Sequence, residues 1–137
     1  MEAPLPAVAL DHVGIAVESV AASPLGRSLG GLSAELTPMP SGVSIARIGP
    51  GEQIELVEAS RPGSPIERFL ERRGPGLHHV AFRVDEELGD ILERLREDGI
   101  EPVGEIEPAS DGRPSVFLHP SSTGGVLVEL VEGPRPA

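Results

Sequence analysis

Two short strings recur along this chain in the same order. "DHVGIAV" (11–17) returns as "HHVAFRV" (78–84), and "IELVE" (54–58) returns as "VELVE" (128–132). One five-residue match would be chance, but two in the same order with comparable separations mark a duplicated module. Whatever the first copy builds, the second must build again. At 137 residues the chain has room for a single domain, 1–137, made of two such modules at about 8–59 and 77–132.

Hydrophobic periodicity fills in each module. Residues 8–17 read as a strand, and a weak helical stretch over 18–30 carries Pro24 in its middle, where proline disfavours helix. Short β-like runs follow at 33–37, 43–48 and 53–59. The stretch 60–76 carries a linker helix at about 64–73. There Ser64 is the expected N-cap, Pro65 the first helical residue, and Glu67 the return arm of a capping box. The second module opens with a strand at 77–84. A helix over 85–99 comes next, with Asp85 as the expected cap, an apolar stripe of Leu88, Ile91, Leu92 and Leu95, and Gly99 as the stop. Runs at 101–106, 114–120 and 125–132 complete it. The order β-α-β-β-β therefore appears twice, which predicts an α+β fold of two tandem βαβββ modules sharing a curved mixed sheet.

Strand alternation then sorts side chains by face. Val13, Ile15 and Val17 share one face, as do Val80, Phe82 and Val84, and these large aliphatic faces belong against the helices. The other face holds His12, Gly14 and Ala16 in one copy, and His79, Ala81 and Arg83 in the other. Small residues beside a histidine suggest open volume above the sheet. His78 goes to the helix side. In the last strands, Ile54, Leu56, Val128 and Leu130 pack inward, leaving Glu55 and Glu129 on the histidine face. If the two sheets curl around one cavity, His12, Glu55, His79 and Glu129 converge. Two imidazoles and two carboxylates are a mixed N/O donor set for a divalent first-row metal, Co, Mn, Ni, Zn or Fe, with two octahedral positions left for substrate. Glu58 and Glu132 alternate to the opposite face and read as surface charge. Arg68, Arg72 and Arg73 read as a solvated helix face, and His119 as a loop-positioning or substrate-contact residue.

Composition removes several function classes. The absence of cysteine excludes a disulfide framework, a thiol nucleophile and a Cys-based zinc site. Every basic residue is arginine, so a P-loop lysine and Schiff-base chemistry are excluded too. A net charge of −11 and 2% aromatic residues argue against nucleic acid. Hydrophobic residues make up 39% of the chain, yet no apolar run reaches the ~20 residues of a membrane span. The N-terminal "MEAPLPAVALDH" lacks the pattern of a signal peptide, and cytoplasmic residence is the expectation.

Four stretches together carry a resemblance: "LDHVGIAV" (10–17), "IELVEA" (54–59), "SPIERFLERRGPGLHHVAFRVDE" (64–86) and "FLHPSSTGGVLVEL" (117–130). They resemble the vicinal oxygen chelate superfamily (glyoxalase, bleomycin resistance and dioxygenase proteins), and within it the methylmalonyl-CoA epimerases. The likeness spans most of residues 9–132. It implies paired βαβββ modules around a metal cavity, usually in a homodimer, with metal ligands at His12, Glu55, His79 and Glu129. It also implies an acyl-CoA substrate, inverted through α-proton abstraction and a metal-stabilised enolate, with Glu129 one member of the acid/base pair.

The likeness has a gap. The family's other acid/base glutamate belongs in a "P-E-x-G-V" stretch, where this chain reads "TPMPSGVSI" (37–45), with Pro40 or Ser41 in its place. Neither carries a proton at neutral pH, and Glu35 is displaced by about five residues. Two alternatives therefore stand beside an epimerase. One is a glyoxalase I-like lyase using the same donors on an enediolate; the other is a small-molecule-binding member without catalysis. An extradiol dioxygenase needs two histidines and one carboxylate, so a fourth ligand counts against it.

Overall fold

The computed structural model of the chain describes residues 9–25 and 36–136. These form two compact units, one spanning His12–His78 and the other running from His79 onward together with the chain up to Asp11. Among the described residues, each unit is a small mixed sheet with one helix of two turns or more.

In the first unit the strands are β1 (Ala9–Ala16, entering from the other unit at His12), β2 (Thr37–Pro38), β3 (Val43–Ile48) and β4 (Ile54–Ala59). β4 lies between β1, parallel to it, and β3, antiparallel to it, and β2 flanks β3. The second unit repeats this plan with β5 (Gly76–Val84), β6 (Pro102–Pro108), β7 (Pro114–Leu118) and β8 (Val128–Glu132). β8 lies between parallel β5 and antiparallel β7, with β6 outside. Even the register is duplicated: Gly14 sits opposite Glu55 as Ala81 sits opposite Glu129. The α+β duplication expected from the sequence is thus a duplication of hydrogen-bonding pattern. The β-like run at 33–37 survives as Thr37–Pro38, its first part lying outside the described residues.

Helix α1 (Pro65–Arg73) starts as its sequence predicts. Ser64 accepts the N–H of Glu67 at 3.2 Å, satisfying one of the donors every helix start leaves over. The Glu67 carboxylate reaches one residue further back than a standard capping box and accepts the Gly63 N–H at 3.0 Å. Ile66 is buried with Ala16, Val43 and Val57, with Phe69 and Leu70 beside them. Ala16 and Val57 belong to the faces that also carry His12 and Glu55, so α1 covers the far end of the histidine face. The open volume expected above Gly14 and Ala16 is closed there: both are buried. The opposite face collects Val17, Val20, Ala46, Ile48 and Leu56.

Helix α2 (Leu88–Glu97) begins later than expected. Its N-cap is Glu87, whose side chain makes no cap hydrogen bond, and not Asp85. The orphan N–H of Leu88 is met from outside the helix by the carboxylate of Glu132, at 2.9 Å. A remote acceptor releases the local sequence from having to supply one. At the other end the Gly99 N–H bonds Arg96 O and the Ile100 N–H bonds Leu95 O, with Gly99 at φ +80°. This Schellman closure needs a residue without a Cβ. Leu88, Ile91, Leu92 and Leu95 pack as one stripe onto Val84, Val116, Leu118 and Leu130, so in this unit the helix lies opposite the His79 face, as predicted.

Of the helix expected over 18–30, residues 18–23 are turn, bend or irregular, Pro24 and Leu25 are helical, and 26–30 lie outside the described residues. No helix among the described residues is long and apolar enough to cross a membrane.

Candidate metal centre

β1 delivers His12 and β4 delivers Glu55 to the same side of the first sheet, because Gly14, two residues after His12, is the registered partner of Glu55. His12 Nε2 lies 3.4 Å from Glu55 Oε2. In the second unit the same offset brings His79 Nε2 to 3.4 Å from Glu129 Oε1. The four residues are 1%, 4%, 5% and 6% exposed, in the order His12, Glu55, His79, Glu129. That burial decides against solvated polar strand residues. Buried carboxylates require a compensating partner.

The spacing bears on what that partner can be. A direct N–H···O bond sits at 2.7–3.2 Å, so 3.4 Å is long for one. Two donor atoms each about 2.1 Å from a common ion lie about 3.0 Å apart at the 90° of an octahedron and about 3.4 Å apart at a tetrahedral angle of about 110°. Imidazole and carboxylate are the donor types that first-row divalent ions take. The spacing within each pair suits two donors on one divalent ion, and the buried residues that group as possible holders of a metal ion are His12, His79 and Glu129, without Glu55.

The surroundings of the two pairs differ, a difference the repeated strings do not carry. β3 places Arg47 directly opposite Glu55, and β7 places Phe117 directly opposite Glu129. These are equivalent positions of the two modules. Phe117 sets its edge against the His79 ring, with centroids 5.4 Å apart and planes at 84°. Arg47 instead brings Nη2 to 3.4 Å from Glu55 Oε2, the same oxygen that faces His12. Its side chain is 12% exposed. The signal was present: an arginine inside the apolar strand "VSIARI", on the inward side by alternation.

Two glutamates read as surface charge have structural work. Glu58 accepts the Val20 N–H at 2.8 Å, as Glu132 accepts that of Leu88. Both are half-buried, each three residues beyond its module's candidate ligand. Strand alternation gave their face correctly but says nothing of chain segments that return to that face. Arg68, Arg72 and Arg73 are exposed as expected, Arg73 lying over the Phe69 ring. His78 points away from its neighbour and meets the edge of Phe69, centroids 5.0 Å apart. His119 positions its loop: Nδ1 accepts the Ser121 N–H at 3.2 Å at the head of a 3-10 turn.

The turn where the second acid/base glutamate was expected is Met39–Gly42, closed by the Gly42 N–H to Met39 O. Pro40 offers its carbonyl to Arg61 Nη2 at 2.9 Å, and Gly42, at φ +88°, packs so closely on the Arg61 side chain that a Cβ there would lie 2.6 Å from Nε. The turn presents no carboxylate. Glu35 lies outside the described residues.

Comparison with known proteins gives the frame. The family described as the Glyoxalase/Bleomycin resistance protein/Dioxygenase superfamily matches residues 11–117. The chain belongs to this superfamily. Within it, the chain is similar to the ethylmalonyl-CoA/methylmalonyl-CoA epimerase of Cereibacter sphaeroides, 38% identical over 128 residues that cover 88% of this chain and 95% of that protein. It is 35% identical over 127 residues to the mitochondrial methylmalonyl-CoA epimerase of Homo sapiens, covering 88% of this chain and 72% of the human one. Among solved structures, methylmalonyl-CoA epimerase from Mycobacterium tuberculosis matches with a TM-score of 0.82 at 35% identity, over 98% of this chain and 93% of that one. A methylmalonyl-CoA epimerase in complex with methylmalonyl-CoA and NH4+ matches at 0.77 and 25% identity, over 92% of this chain and 94% of that one. The superfamily membership and the glyoxalase-like fold expected from the sequence are both borne out.

Proposed function

We propose that this chain epimerises methylmalonyl-CoA or a related 2-substituted acyl-CoA by abstracting the α-proton. The observation that carries the reading is the duplicated, buried His–Glu pair, His12 with Glu55 and His79 with Glu129, in a chain about 35% identical to methylmalonyl-CoA epimerases. All four side chains are proposed ligands of one divalent cation, Co, Mn, Ni, Zn or Fe. When bound, the cation would supply Lewis acidity to the substrate's thioester and carboxylate oxygens, where enolate charge develops.

The protein's own part is to hold those donors dry and fixed and to move the proton. Glu129 is the proposed catalytic base, its carboxylate buried in β8 beside His79 and backed by Phe117. Burial strengthens its electrostatic interaction with a neighbouring charge. The 39–42 turn offers no conjugate acid for the other face of the α-carbon. On this reading proton removal and return at one face are fully equipped, and inversion depends on a second donor elsewhere.

The homodimer and cytoplasmic residence expected from the sequence belong to the same proposal. The test is proton NMR of (2R)- or (2S)-methylmalonyl-CoA in D2O with the cobalt-loaded protein. Deuterium at the α-carbon supports α-proton chemistry. Its absence overturns the epimerase reading, and turnover of a hemithioacetal in its place would establish the glyoxalase I-like alternative.

A further inference from the structure

The two modules repeat each other in strand order, in register and in their His–Glu pairs, but not at the residue opposite the glutamate. Where the second module has Phe117, the first has Arg47. The guanidinium is held on the inward side of β3 at 12% exposure, and its Nη2 shares Glu55 Oε2 with His12 at 3.4 Å on each side. An arginine is charged at any working pH. Glu55 thus has a permanent cation at ion-pair distance on the oxygen it would present to a metal, whereas across from Glu129 the equivalent position is a hydrocarbon ring.

We infer that Arg47 is a built-in competitor for Glu55, which makes Glu55 the weak, exchangeable limb of the cation site and Glu129 the firm one. This rests on the metal reading above and deepens it. The physical ground is Coulombic. A metal ligated through Glu55 Oε2 would sit about 5–6 Å from the Arg47 charge, and even with water-like screening a unit charge there weakens a divalent ion by about tenfold. Arg47 also gives a released Glu55 a partner, so the buried carboxylate is not left uncompensated while a substrate oxygen takes its coordination position. The arrangement favours substrates that bring their own negative oxygens to the cation, as a malonyl-type thioester does.

The experiment is Co2+ titration of the chelator-stripped full chain, read by d–d absorption and calorimetry, for the wild type, R47F, R47Q, R47K, E55Q and E129Q. R47F installs the residue that the second module carries at this position. The expected result is at least about tenfold tighter Co2+ binding by R47F, with R47K close to wild type because its charge remains. E55Q should weaken binding far less than E129Q, and R47F should lose its effect in an E55Q background. If R47F fails to fold, as circular dichroism would show, R47Q decides in its place. Unchanged or weaker binding by the uncharged variant overturns the inference and makes Arg47 a support that orients Glu55. A wild type that takes up no Co2+ overturns the metal reading, and this inference with it.

Discussion

Arg113 and Asp11 face each other as a bidentate pair, Nη1 to Oδ1 at 2.8 Å and Nη2 to Oδ2 at 3.1 Å, with both residues about 5% exposed. The rest of the guanidinium is equally engaged, Nε by Asp111 and Nη1 by the Gly133 carbonyl. Burial alone would lower the Arg113 pKa, but hydrogen bonds and charge from Asp11 and Asp111 outweigh it and raise the pKa above its ordinary value. The pair fastens the start of β1, one residue before His12, to the β6–β7 turn and the end of β8. Arg113→Met removes the bidentate partner of the buried Asp11 carboxylate, which Arg135 Nη2 at 3.8 Å replaces poorly, and should cost about 3 kcal/mol. Replacing both partners with apolar residues (D11L with R113M) should cost much less. Urea denaturation of the two variants checks this, and equal losses would contradict it.

The carboxylates of Glu58 and Glu132 each hold a backbone N–H at the start of the segment that follows their module's first strand. Glu132 serves α2 as an N-cap supplied from another element. Glu132→Ala should lower stability by about 1 kcal/mol, the usual loss for a helix cap, and fray the first turn of α2. Amide exchange at Leu88 is the local measurement. Protection unchanged from wild type would show that the bond carries no weight.

How much of this could be read from the letters depends on the range of the interaction. The repeated strings gave the module plan, the faces of β5 and β8 and the candidate donors, because strand alternation and parallel register are local rules. Ser64, Gly99 and the Leu88–Leu95 stripe were legible for the same reason. Asp85 reads as a cap from the letters but is not one, because the true acceptor, Glu132, lies 44 residues away. The side chosen by α1 was equally hidden, since nothing in "SPIERFLERR" says which face of the first sheet Ile66 will cover. Arg47 was passed over because its meaning lies in a β3–β4 register that only the folded chain displays.

On the proposed reading, His12 and His79 contribute nitrogen donors to one cation, so each should matter to metal as well as to turnover. His12→Ala and His79→Ala should bind metal more weakly by at least about tenfold, the lower end of what even a supporting residue contributes. Metal should also raise the wild type's melting temperature by mass action, and chelator should remove that increment. Thermal melts with and without Co2+ read both. A metal-dependent shift that survives in both histidine variants would place the ion elsewhere.

With Glu129 as the proposed base, it and the 39–42 turn together make a prediction about stereochemistry. A single carboxylate removes and returns the proton on one face of the α-carbon, so hydrogen exchange with solvent need not invert the centre. The 39–42 turn has Pro40 and Ser41 where the sequence resemblance expects a second carboxylate, and its geometry is pinned by Arg61 on Pro40 O and by Gly42 at φ +88°. Starting from one enantiomer in D2O, deuterium incorporation should therefore outrun net inversion. Glu129→Gln should abolish both, by ~10²-fold or more for loss of the base. The turn can be tested by addition: Pro40→Glu restores a carboxylate to it and should raise inversion relative to exchange. Equal rates of exchange and inversion in the wild type would mean that another side chain already delivers the second proton, and the search for it would move to residues 26–35.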